Sequence, residues 1–290
     1  MTTESNKNLR ELLEYRARNQ KDKVFLFSES DARRWSYAEF DKAVNRAANL
    51  LKNNNIGKGD VVSLLMPNSA EYVIAYFACW KIGAIANPVN SLLKAEEIEF
   101  VVGNSEAKLL LVNSEFLPKL APSEPPAAAG RFAVAFNPPA IASGSDSLPK
   151  IIIFDDETKA TENFSEDLAE VAIETPDEAI IIYTSGTTGK PKGCLLTHGN
   201  LIANARQISE WMNFTERDRL LTIMPLFHMN AVSVTTLTAL YASASTVVAP
   251  KFSASRFWET IEKYKITSFG SVATMLSMLL QRSGESRVKI

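Results

Sequence analysis

Apolar and polar residues follow two different periods along this chain, and the changes between them mark its elements. Phe40, Val44, Ala47, Ala48 and Leu51 fall at i, i+4, i+7, i+8 and i+11, the spacing of one helical face. Ser36 and Glu39 stand at its start as a capping box, whose side chains satisfy the first free N–H groups. The run stops in KNNNIGKGD, which is rich in turn residues. VVSLLM (61–66) then reads as a buried strand, and Pro67-Asn68-Ser69 opens a second helix with Val73, Ile74, Phe77 and Ala78 on one side. A short strand at 84–86, the loop NPVN and a helix over about 94–103 come next. KLLLVN (108–113), KIIIFDD (150–156), AIIIY (179–183) and GCLLTH (193–198) read as strands. GNLIANARQISEWM supplies a further helix, and the chain closes with a strand near 266–269, a helix over about 272–281 and a polar tail. Strands of continuous Ile, Leu and Val alternating with helices predict an α/β fold, with largely parallel sheets covered by helices.

Two stretches break this alternation. Between 121 and 149 the sequence is dominated by Pro, Ala, Ser and Gly without a clear period, which predicts an exposed insertion. From Leu220 to Pro250 there is no Asp, Glu, Lys or Arg, a length that could span a bilayer. It contains Pro225, His228, Asn230 and seven Ser or Thr between Ser233 and Thr246, however. Polar groups are costly in lipid, so the stretch is expected to be a buried strand, helix and strand in succession.

The 290 residues are 46% hydrophobic, enough for one large domain or two ordinary ones. With 31 basic and 33 acidic residues the net charge is -2, without the basic excess of a general nucleic-acid binder. Cys79 and Cys194 are far apart and in no metal-ligand or redox spacing, so neither a disulfide nor a zinc site is expected. The N-terminus is polar and lacks a signal peptide's apolar run. A cytoplasmic location is the expectation.

The chemistry concentrates in YTSGTTGKPKG (183–193), where six consecutive small residues precede Lys190, Pro191 and Lys192. Glycine lets successive backbone N–H groups point at one anion, hydroxyls add donors, and lysine adds positive charge. A Walker A loop does not fit, because Thr184 stands where its first glycine belongs and Pro191 replaces its Ser or Thr. G-x-G-x-x-G is absent as well. Pro191 disfavours α conformation at Lys190, so the loop should pass from strand to strand rather than into a helix. An ordinary polar hairpin turn is the plainer alternative.

This segment closely resembles the phosphate-binding signature of the adenylate-forming superfamily, which includes acyl-CoA synthetases, luciferases and peptide-synthetase adenylation domains. WSYAEF (35–40), WKIGAIANPVN (80–90), MPLFHMNA (224–231) and the stretch from Lys251 to Leu280 are similar to further segments of that family. The resemblance implies an incomplete N-terminal domain of an adenylate-forming enzyme. It implies activation of a carboxylic acid by ATP to an acyl-adenylate, then transfer to coenzyme A. Thr184, Ser185, Gly186, Thr187, Thr188, Gly189, Lys190 and Lys192 would contact or cover the ATP phosphates, with Mg2+ bridging those phosphates. Phe227, His228, Met229 and Asn230 would line the acyl and coenzyme A pocket. His198 is expected to be structural, and Trp211 and Trp258 to serve packing.

No carboxylate lies between Asp218 and Glu259 to pair with a substrate ammonium, so the resemblance favours a fatty, aryl or carnitine-like acid. The family's Tyr-Gly-x-Thr-Glu segment and C-terminal catalytic lysine find no match here. The expectation is therefore a truncated AMP-binding N-terminal domain over 1–290, impaired in turnover and prone to association through exposed apolar surface. The alternatives are a non-catalytic nucleotide- or acyl-binding module and an adenylation domain feeding a carrier protein. The partner is a small carboxylic acid, not nucleic acid, and no metal ligand or certain catalytic residue is assigned.

Overall fold

The computed structural model describes residues 7–120, 149–184 and 191–283, and the insertion at 121–149 falls almost wholly outside them. In chain order the elements are α1 (Leu9–Asn19), β1 (Val24–Ser28), β2 (Arg34–Ser36), α2 (Tyr37–Asn53), β3 (Val61–Leu65), α3 (Ala70–Lys81), β4 (Ile85–Pro88) and α4 (Ala95–Asn104). Then come β5 (Leu109–Val112), α5 (Leu117–Leu120), β6 (Lys150–Ile153), α6 (Glu157–Thr161), β7 (Glu178–Thr184), β8 (Lys192–Thr197) and α7 (His198–Trp211). The remainder is β9 (Arg219–Thr222), a π-helix (Asn230–Leu237) running into α8 (Thr238–Tyr241), β10 (Ser245–Val248), α9 (Phe257–Tyr264), β11 (Ser268–Phe269) and α10 (Ala273–Ser283). They fall into two units: Met1–Glu11, Asp41–Pro67 and Glu71–Asn200 form one, and Leu12–Phe40, Asn68–Ala70 and Leu201–Ile290 the other.

The first unit holds a six-stranded sheet in the order β6-β5-β3-β4-β7-β8, parallel except for the antiparallel β7–β8 pair. All four residues of β5 and of β4 are buried, which explains why these strands carry no polar alternation. α3 buries Tyr72, Tyr76, Phe77 and Trp80; Tyr72 stacks on Tyr76 at 5.2 Å, and Trp80 donates from Nε1 to the Ala179 carbonyl at 2.8 Å. Two buried charges are compensated. Lys81 donates from Nζ to Asp41 and Asn45 at 2.6 Å each, and Glu157 accepts from Arg46 at 3.0 Å and from Thr161 at 2.8 Å.

The second unit holds a five-stranded sheet in the order β11-β9-β10-β1-β2, with only β1–β2 antiparallel. Its core gathers Leu221, Ile223, Val247, Phe257, Tyr264, Met275 and Leu279. The capping box forms as expected: Ser36 N–H donates to Glu39 Oε2 at 2.7 Å, and Glu39 N–H donates to Ser36 Oγ at 3.2 Å.

Several expectations are corrected. KIIIFDD is strand only over Lys150–Ile153, and Asp156 instead caps α6 by accepting from Lys159 N–H. The uncharged stretch does run strand, helix, strand, but its helix begins in π register. No helix among the described residues is long and apolar enough to cross a membrane. Trp211 does not pack, being 83% exposed; the buried positions of α7 are 198, 201, 205 and 209, and 211 lies off that stripe.

Candidate functional site

The glycine-rich segment sits on the β7–β8 hairpin of the first unit. Ile181 pairs with Leu195, Ile182 with Cys194, Tyr183 with Gly193, and Thr184 with Lys192. The strand–loop–strand reading of Pro191 therefore holds on both flanks, because β8 starts at the residue after the proline. Thr184 and Lys192 stand opposite each other at the loop end of the hairpin and are exposed, and Lys192 makes no ion pair among the described residues. Ser185, Gly186, Thr187, Thr188, Gly189 and Lys190 lie outside the described residues.

Gly193 leaves room for the side chains of the facing strand. A Cβ there would meet Ile181 Cδ1 at 2.8 Å and Tyr183 Cζ at 3.2 Å, because those side chains lean over the facing strand. Tyr183 is in turn held by donating from its hydroxyl to Asn104 Oδ1 at 2.8 Å. At the other end of β8, Thr197 and Asn200 satisfy each other's backbone N–H groups at 3.1 and 3.0 Å and start α7.

His198 follows at once and is fully buried. Its N–H donates to the Asp177 carbonyl at 3.0 Å, and its Nδ1 accepts from Leu9 N–H at 3.3 Å. Burial drives its pKa down to about 4, with Asp177 opposing that shift and Lys58 adding to it. A neutral, buried acceptor of this kind fits the structural role expected of His198, but the residue is only half satisfied, because its buried Nε2 has no hydrogen-bond partner among the described residues.

Phe227, His228 and Met229 lie in the second unit, between β9 and the π-helix, which Asn230 opens. Phe227 is buried and its ring lies 4.5 Å from the exposed His228 ring. Loss of solvent around the imidazole lowers the His228 pKa, which favours the neutral ring. The backbone turns tightly here, with His228 N–H donating to the Pro225 carbonyl at 2.9 Å. Below the π-helix, Thr222 donates to Thr235 Oγ1 at 2.7 Å and lies 3.0 Å from Thr246 Oγ1, tying the helix to β9 and β10.

Asn68 is a residue the sequence reading missed. It donates to the carbonyls of Met224 and Ala249 at 2.8 and 3.2 Å and accepts from Leu226 N–H at 2.7 Å. It thus clamps the start of the Met224–Asn230 loop. Its one sequence signal was a polar residue directly after a buried strand, which the helix-opening role of Pro67-Asn68-Ser69 already explained. Among the described residues, no group of three or more His, Cys, Asp or Glu is gathered as a metal cage.

Comparison with known proteins now gives this geometry its context. A family model described as AMP-binding enzyme matches residues 13–289. The chain belongs to that family. Among curated relatives, this AMP-binding chain is 33% identical over 261 residues to crotonobetaine/carnitine–CoA ligase of Citrobacter koseri, which covers 89% of this chain and 48% of the relative. The Escherichia coli K12 ligase of the same name is 33% identical over 248 residues, or 85% of this chain and 47% of that protein. The chain thus spans about half the length of these relatives. Among solved structures, the inhibitor-bound N-terminal domain of FACL13 from Mycobacterium tuberculosis aligns with a TM-score of 0.79 at 28% identity, covering 95% of this chain and 65% of that one. The AMP complex of O-succinylbenzoate coenzyme A synthetase from Bacillus subtilis aligns with a TM-score of 0.77 at 27% identity, covering 94% and 64%. The fold is that of N-terminal domains of adenylate-forming enzymes.

Proposed function

We propose that this chain binds ATP through the β7–β8 hairpin and takes part in activating a carboxylic acid for transfer to coenzyme A. The observation that carries the reading is the pairing of Thr184 with Lys192 across the mouth of an antiparallel hairpin, in an AMP-binding chain related to CoA ligases. Two exposed residues in register, a hydroxyl donor and a lysine that makes no ion pair among the described residues, form a donor set suited to a polyanion. Donors placed there would offset charge on the β- and γ-phosphates as pyrophosphate leaves. Ser185 to Lys190 would complete the cradle with backbone N–H groups, hydroxyls and a second ammonium. Mg2+ would be carried on the phosphates, and no side chain of this chain is assigned to it.

The acid would lie against Phe227, His228, Met229 and Asn230. The segment 219–258 carries no Asp or Glu, so an acid without a free α-amino group fits best. Crotonobetaine/carnitine and fatty acyl names among the relatives agree with that class.

Calorimetry of the purified chain with ATP–Mg2+ tests the nucleotide half. Lys192→Ala is expected to weaken ATP binding by about tenfold or more, since a hydrogen bond to a charged group contributes about 1.5–3 kcal/mol. Thr184→Ala should do so by less, because it removes a neutral donor. A folded wild-type chain that ignores millimolar ATP–Mg2+ would overturn the proposal.

A further inference from the structure

We propose that Gly270 is a positioning residue for the acyl pocket and acts through Asn230, an inference that rests on the reading of residues 227–230 as that pocket. Gly270 is buried and follows β11 directly. A Cβ on it would meet Asn230 Oδ1 at 2.4 Å and Thr235 Cγ2 at 3.3 Å. Asn230 Oδ1 is itself buried and accepts no hydrogen bond among the described residues, so this carboxamide is held there by shape rather than by a donor.

The π register explains why one glycine meets both residues. In π register the i→i+5 bonds bring residues five apart to nearly the same side, whereas in an α-helix they would diverge by about 140°. Asn230 and Thr235 are five apart, and Thr238 N–H donating to the Ser233 carbonyl closes such a turn. Thr235 cannot give way. Its hydroxyl donates to the Ala231 carbonyl at 3.0 Å and accepts from Thr222 at 2.7 Å, under buried conditions. Asn230 has no such restraint, and the atom that a Cβ would strike is the far end of its side chain. A methyl group at 270 therefore presses lightly on the fixed Thr235, lowering the melting temperature somewhat, and swings the Asn230 carboxamide away from its seat, altering the wall beside Phe227 and His228.

The experiment measures binding of acyl-sulfamoyl adenosines with a short and a long acyl chain, and of ATP–Mg2+, to four full chains: wild type, Gly270→Ala, Asn230→Ala and the double variant. Circular dichroism and thermal melts accompany each. Gly270→Ala is expected to lose affinity for at least one acyl ligand by about tenfold, and to change the short-to-long preference, as sub-ångström to ångström misplacement at a site can do. ATP affinity should stay within about twofold, because only the acyl wall is altered. In the Asn230→Ala background the same glycine substitution should have less than about a twofold effect, since the struck atom is gone. Equal losses in both backgrounds, or unaltered acyl binding by folded Gly270→Ala, would overturn the positioning role while leaving the pocket intact. A wild-type chain that binds ATP and rejects both acyl ligands would overturn the pocket reading, and the positioning role with it.

Discussion

His198 makes a quantitative pH prediction. It is fully buried, its Nδ1 accepts from Leu9 N–H at 3.3 Å, and protonation would turn that acceptor into a donor facing a donor. The charged groups that act on it are Asp177, which favours protonation, and Lys58, which opposes it; these two are themselves paired at 2.6 Å. Burial, reinforced by Lys58, outweighs Asp177, and the imidazole pKa falls from 6.5 to about 4. Because the folded pKa is the lower one, the unfolded chain binds the extra proton between pH 6.5 and 4. Stability contributed by the neutral ring is therefore complete above pH 6.5 and is lost as pH falls to about 4. At about 1.4 kcal/mol per pH unit, the loss is about 3 kcal/mol. That is a large share of an ordinary domain stability of about 5–15 kcal/mol.

His198→Asn separates this effect from other titrations, because the Asn Oδ1 can replace Nδ1 as the acceptor but carries no titratable proton. Urea unfolding of both chains, followed by circular dichroism from pH 7 to pH 4, is the assay. At pH 7 the variant should be the weaker, having lost ring packing. By pH 4 the wild type should have lost about 3 kcal/mol more than the variant. Parallel stability profiles for the two chains across this range would refute the assignment of a buried neutral imidazole.

Gly193→Val should destabilise the hairpin, since even its Cβ would lie 2.8 Å from Ile181 Cδ1; a lower melting temperature and weaker ATP binding are expected, with partial recovery in Gly193→Val/Ile181→Ala. Asn68→Ala removes its hydrogen bonds with Leu226 N–H and with the Met224 and Ala249 carbonyls, and should cost about 3 kcal/mol in urea unfolding. Trp80→Phe keeps most of the apolar contact but removes the Nε1 donor to the Ala179 carbonyl, and should cost about 1 kcal/mol by the same measurement.

Sequence alone determined the features that rest on local periodicity and local hydrogen bonding. The continuous apolar runs identified β3, β4 and β5, because a strand buried on both faces has no polar alternation to disguise it. Ser36 and Glu39 announced the start of α2, and Pro191 announced a hairpin instead of a helix, since each constrains only its neighbours. The amphiphilic segment VFLFS was passed over. Its role depends on a partner more than two hundred residues away, with Leu26 paired to Thr246 and Phe27 to Val247. Tertiary structure also decided which polar groups became buried. Asn68 is a clamp only because β9 and β10 bring the Met224 and Ala249 carbonyls to it. The π-helix is likewise seated by tertiary partners, with Thr222, itself bonded to Thr246, holding Thr235 from below and Gly270 leaving room for Asn230. Such pairings are set by contacts far apart in the chain, which no window of neighbouring residues encodes.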